Sequence, residues 1–105
     1  MARDYIPRPN VDFNEFQVRL VKAVVTNALS WKIPADEVAT LQTDSAKQAD
    51  YFKAISNKNN RTKTQVEEHD QFRKTFEADL RLFVNSYLRS NKNVSTSEAT
   101  GMGIK

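Results

Sequence analysis

The densest chemistry in the chain lies in Val66-Glu67-Glu68-His69-Asp70, where the single histidine stands among three carboxylates. Histidine and carboxylates are the ligand stock of metal sites. Consecutive residues of a helix point about 100° apart, so neighbours in this run cannot converge on one ion. A di-iron bundle needs Glu-x-x-His on two helices. Here position 66 is valine and no second histidine exists. No metal site is expected, and the carboxylates read as a solvated first turn that complements a helix dipole.

Nucleophilic chemistry finds even less. The chain has no cysteine. It has no Gly-x-Ser-x-Gly turn and no glycine-rich phosphate loop. Ser86, Ser90, Ser95 and Ser97 have no base near them in sequence. The expectation is a protein that is not an enzyme, with no cofactor and no evident small-molecule ligand. Only two carboxylates brought together by tertiary packing in a deep pocket would reopen catalysis.

Binding chemistry offers two candidates. Lys53, Lys58, Arg61 and Lys63 surround the polar run Asn57-Lys58-Asn59-Asn60-Arg61 and could meet phosphates. Arg81, Arg89 and Lys92 form a second basic group. Net charge is only +3, and most charges match helix ends, with acids leading and bases closing. Weak nucleic-acid binding through the Lys53/Lys58/Arg61/Lys63 patch is therefore the alternative function, not the leading one. The other candidate is Trp31, the only tryptophan. It could present a ring to a partner, but its helical spacing favours packing as a lid on the core. Trp31 and the four basic residues make up the candidate interaction surface. Two glycosylation sequons, Asn60-Arg61-Thr62 and Asn93-Val94-Ser95, are read as chance because no secretion signal accompanies them.

These residues need elements to carry them. Residues 1–11 read as an extended arm punctuated by Pro7 and Pro9. The bundle is expected over 12–100. Helix 1 is expected from Asp12 to Trp31, with Phe13, Phe16, Leu20, Val24, Ala28 and Trp31 on one row and Val21, Val25 and Leu29 on a second. Helix 2 is expected from Ala35 to Ser56, with a thinner stripe interrupted at Ser45 and Gln48. Helix 3 is expected from Lys63 to Ser90 or Lys92, rich in inward rings, and long enough to overhang or bend. A short last helix is expected from Thr96 to Thr100, ending before Gly101. Residues 101–105 read as a tail or the start of a linker.

Local signals support the helix starts. Val11/Phe16, Ile33/Val38 and Val94/Ala99 have the spacing of hydrophobic staples around caps at Asp12, Pro34 and Ser95. Asp12-x-x-Glu15, Thr62-x-x-Gln65 and Ser95-x-x-Glu98 have the spacing of capping boxes. The fold class is all-α: an up-down-up three-helix bundle with a short fourth C-terminal helix. The expected core is Phe13, Phe16, Leu20, Val24, Leu29, Trp31, Val38, Leu41, Phe52, Ile55, Phe76, Leu80, Phe83 and Tyr87.

The bulk composition agrees with that class. The 105 residues suit one domain, and 39% hydrophobic residues with only two glycines suit long helices. No run reaches membrane-spanning length, so no membrane partner is expected. The cytoplasm is the expected compartment.

Arg3-Asp4-Tyr5-Ile6-Pro7, Trp31-x-Ile33-Pro34, a long third helix and Met102-Gly103-Ile104 together resemble an uncharacterised family of small bacterial proteins. In that family a helical bundle is usually followed by a Pro-rich linker and an immunoglobulin-like β-sandwich. The family pattern commonly has glycine where this chain has Lys32. The resemblance implies the N-terminal bundle of such a protein, and it brings no activity and no site residue with it. The leading function is a structural or protein-interaction module that packs on a β-sandwich, another protein or a second copy of itself.

Overall fold

The computed structural model describes residues 5–57 and 59–104. It contains α1 (Asn10–Asn27), α2 (Ala35–Ser56), α3 (Lys63–Phe83) and α4 (Thr96–Met102). A π-helical segment, Val84–Arg89, continues α3 without a break. The described residues hold no strand. The residues that meet across α2 and α3 run in opposite order: Leu41 and Asp44 share a groove with Phe83 and Asp79, whereas Phe52 lies against His69 and Ala54 is grouped with Gln65. Pairs across α1 and α3 run in the same order, Asn10 with Arg73 and Phe13 with Phe76. The bundle is therefore up-down-up, with α4 packed against α1.

α1 begins at Asn10, two residues before the expected Asp12 cap. Pro9 is the N-cap, with φ −62° and ψ 139°, and its carbonyl accepts the first helical bond from the Phe13 amide at 2.9 Å. A side chain far along the chain holds this start. The Arg73 guanidinium donates to the Pro7 carbonyl and the Asn10 Oδ1, both at 2.6 Å, and lies 4.3 Å over the Phe13 ring. Starting early leaves Val11 on the helix surface, 55% exposed, so the Val11/Phe16 staple does not form.

The regular part of α1 ends at Asn27 and not at Trp31. The next turn closes as a Schellman motif. The Lys32 amide donates to the Leu29 carbonyl at 3.2 Å, and the Ile33 amide donates to the Ala28 carbonyl at 3.0 Å. Lys32 takes a left-handed φ of +56°, a conformation glycine adopts freely. This turn buries Trp31 and Ile33 and leaves Leu29 97% exposed, so Leu29 leaves the expected core. Asn91, two residues beyond the π segment, secures the corner, donating from Nδ2 to the Trp31 carbonyl at 2.6 Å.

α2 spans its expected range with Pro34 as N-cap. α3 opens on the expected box, with Thr62 and Gln65 each accepting from the other's backbone amide. Its last part widens into the π segment instead of staying α-helical. A turn closing after five residues keeps positions four to five apart on one side. Val84 and Leu88 are thus buried, while Tyr87 is only half-buried at the margin.

α4 opens on the Ser95/Glu98 box but runs past Gly101 to Met102. Gly103 ends it with φ +80° in a second Schellman motif, and the Ile104 amide donates to the Ala99 carbonyl at 3.2 Å. Met102 and Ile104 are buried, so the segment expected to lead out of the bundle packs into it. Ile6 of the arm is buried as well. Phe52 and Tyr87, expected in the core, are half-buried.

Candidate functional site: a carboxylate groove between α2 and α3

Two features of the folded chain carry polar chemistry, one inside and one at the surface. The inner one is a layer of polar side chains crossing the bundle. Gln17, Gln48 and His69 are each fully buried. Ser45 Oγ donates to Gln17 Oε1 at 2.5 Å, and Gln17 Nε2 donates to Asn14 Oδ1 at 3.2 Å. Gln48 Nε2 donates to His69 Nε2 at 3.1 Å, which leaves the ring proton on Nδ1 to be donated to Asp70 Oδ1 at 3.2 Å. Gln48 Oε1 is buried without a partner.

His69, which stepping back along the apolar row of α3 reaches, is fully buried. It stands seven residues before Phe76 on the same inward row, whereas Glu67, Glu68 and Asp70 point to solvent. Among the described residues no group of three or more metal-ligating side chains is placed to hold an ion. The positions that seemed to interrupt the α2 stripe, Ser45 and Gln48, are the ones that meet polar partners on α1 and α3.

The surface feature is a groove of about 350 Å³ between α2 and the C-terminal half of α3. Glu37, Thr40, Leu41 and Asp44 line it from α2 at steps of three, one and three, the spacing of one helix face. Phe76, Asp79, Leu82 and Phe83 line it from α3, and Ser86 and Tyr87 from the π segment. Leu41, Phe76 and Phe83 are buried and form an apolar floor. Leu82 stands at the rim, 67% exposed. The half-buried Asp44 carboxyl is raised above its ordinary 3.8 by desolvation first and by the charge of Asp79 second, with Lys47 opposing. Two carboxylates therefore act on each other across an aromatic floor. Such a pair can receive a cation.

A second groove of about 410 Å³ lies farther along the same pair of helices, lined by Lys47, Asp50, Tyr51, Glu68 and Phe72 among others. Its charges are of both signs, so it selects less sharply.

The residues singled out from sequence fall elsewhere. Trp31 is 2% exposed and presents no ring to a partner. Lys53, Arg61 and Lys63 are exposed around the α2–α3 turn. Lys58 lies outside the described residues. The turn itself is locally built: the Asn60 and Arg61 amides donate to the Asn57 carbonyl at 3.1 and 3.0 Å. Sequence reading missed Asp44 and Asp79 because their meeting depends on the alignment of two helices. The available signal was the polar face Glu37, Thr40, Asp44 on an otherwise thinly apolar helix.

Comparison with known proteins finds no match among family models, curated proteins or solved structures.

Proposed function

We propose that this protein is a non-enzymatic interaction module that receives a basic side chain of a protein partner in the Asp44/Asp79 groove. The observation that carries the reading is the Asp44 carboxyl, held half-buried opposite Asp79 above an apolar floor. Lysine and arginine suit such a place. Their aliphatic stems lie along apolar surface while the charged head meets carboxylates. An arginine head also stacks on aromatic faces such as Phe83 and Tyr87, whose rings are 5.1 Å apart. Proton transfer is the less apt reading, because Asp79 stands exposed to water. A β-sandwich following the bundle, as the resemblance implies, is one carrier of such a basic segment.

The test is a titration of isotope-labelled protein with a peptide alternating arginine and leucine. Supporting shifts concentrate at Asp44, Asp79, Ser86 and Tyr87 and disappear in Asp44→Asn/Asp79→Asn. Shifts absent at about 1 mM peptide, a concentration that weak specific contacts already occupy, would sink the reading. A parallel titration with single-stranded and duplex DNA addresses the alternative, which requires salt-sensitive shifts at Lys53, Arg61 and Lys63.

A further inference from the structure

The outer side of α1 carries a row that the bundle leaves uncovered. Val11, Glu15, Val18, Lys22, Val25 and Leu29 follow one another at steps of four and three residues, and all six are exposed. The apolar members are exposed by 55% at Val11, 46% at Val18, 41% at Val25 and 97% at Leu29. Alternating steps of four and three are the seam of a coiled coil. Leu29 belongs to the row although it follows Asn27, because the next turn stays bonded, with the Trp31 amide donating to the Asn27 carbonyl at 2.8 Å.

The two charges on the seam decide what can cover it. Glu15 lies in its first half and Lys22 in its second. A parallel, in-register second copy would set Glu15 against Glu15 and Lys22 against Lys22. A parallel copy shifted by one heptad pairs unlike charges once, but that contact is heterologous and does not close. An antiparallel copy with Val11 level with Leu29 of its mate satisfies both ends. The two-fold axis then passes between Val18 and Lys22. Each Glu15 comes within three residues, about 4.5 Å along the axis, of Lys22 of the other copy. Lys22 stands four residues, about 6 Å along the axis, from Lys22 of the other copy. The two Glu15–Lys22 pairs outweigh that single like-charge contact, so the row is self-complementary in charge and in apolar spacing in this antiparallel arrangement.

We infer that the protein self-associates as an antiparallel, two-fold dimer through this α1 seam. The contact is separate from the Asp44/Asp79 groove and leaves it open. It is small, so the dimer forms at high micromolar protein and dissociates on dilution.

Sedimentation velocity on the full chain over a dilution series tests this, with circular dichroism confirming that each variant is folded. The wild type shows a weight-average mass rising toward twice the monomer's. Glu15→Lys and Lys22→Glu each weaken association by about tenfold, since each turns two attractive pairs into two repulsive ones. The double variant Glu15→Lys/Lys22→Glu restores association to within about threefold, the spread of such surface pairs. A wild type that stays monomeric at about 1 mM, where micromolar contacts are saturated, overturns the inference. Single variants that associate like the wild type, or a double variant that fails to recover, overturn it equally.

Discussion

Replacing Lys32 with glycine should make this protein more stable, although it deletes a side chain. Lys32 is the only non-glycine residue at positive φ among the described residues, at +56°. A left-handed backbone costs an L-residue with a Cβ about 1–2 kcal/mol. Glycine removes that cost but widens the unfolded ensemble, which takes back about 0.4–1 kcal/mol. The net gain is about 0.5–1 kcal/mol, which for a domain of this size raises Tm by about 3–6 °C. The Schellman hydrogen bonds, Lys32 to Leu29 and Ile33 to Ala28, involve backbone atoms alone and survive the change. Urea unfolding followed by Trp31 fluorescence measures the effect, with the slope in urea unchanged because the same surface is exposed. Lys32→Ala is the control. It keeps the Cβ, and with it the strain, so it should gain nothing. If Lys32→Gly proves no more stable than Lys32→Ala, strain at this corner is not a term in the stability, and the reasoning fails. The mirror case is Gly103, at φ +80°. A Cβ there would sit 3.6 Å from the Phe16 ring, an ordinary contact, so Gly103→Ala should lose about 1 kcal/mol through the backbone alone.

Three further outcomes follow from the packing. His69→Leu strands the buried Gln48 amide and should cost about 2–3 kcal/mol, whereas Gln48→Met/His69→Leu should recover more than half of that; denaturation of the four proteins of this cycle would show additivity if the bond between them were unimportant. Arg73→Met removes the clamp on Pro7 and Asn10 and should cost about 2 kcal/mol, with faster hydrogen exchange at the Phe13 amide as its local mark. The third outcome is a pH dependence. The folded Asp44 pKa lies above its unfolded 3.8, so ionised Asp44 opposes folding, fully above the raised value and not at all below 3.8. Asp44→Asn should therefore stabilise at pH 7 and be neutral near pH 3. Glu98 has the opposite sign: the Ser95 backbone bond holds its pKa below 4.5, so its contribution is present above 4.5 and lost as pH falls through the folded value. Thermal melts of wild type and Asp44→Asn across this range would refute the Asp44 assignment if the two curves stayed parallel.

Helix starts were readable wherever the signal is local. Thr62 with Gln65, Ser95 with Glu98, and Pro34 after the Trp31 corner all punctuate the chain within four residues, and α2, α3 and α4 begin where those signals stand. The start of α1 lies two residues before the Asp12 signal: Pro9 caps it as Pro34 caps α2, and Arg73, more than sixty residues away, braces that turn through Pro7 and Asn10. The polar layer likewise joins residues far apart in sequence. Gln17 meets Ser45 at a separation of 28 residues and Gln48 meets His69 at 21, so sequence alone showed only polar gaps in an apolar stripe. The π segment announces itself with no residue type at all. Its effect is visible only in which of Val84, Tyr87 and Leu88 turn inward.

Leu29 shows why an apolar row is not yet a core. Val21, Val25 and Leu29 recur every four residues, and each such step overshoots a full turn by about 40°. The row therefore spirals away from the interior: Val21 is 7% exposed, Val25 41% and Leu29 97%. Val11, Val18 and Val25 recur every seven residues and drift by only about 20° per step, so they stay on one side of the helix. Periodicity gives α1 two apolar faces and no means of ranking them. The ranking comes from volume. Phe13, Phe16 and Leu20 claim the interior because rings and branched chains gain more by leaving water than valines do. The face that loses this contest stays on the outside of α1, with the exposed charges of Glu15 and Lys22 set between its valines.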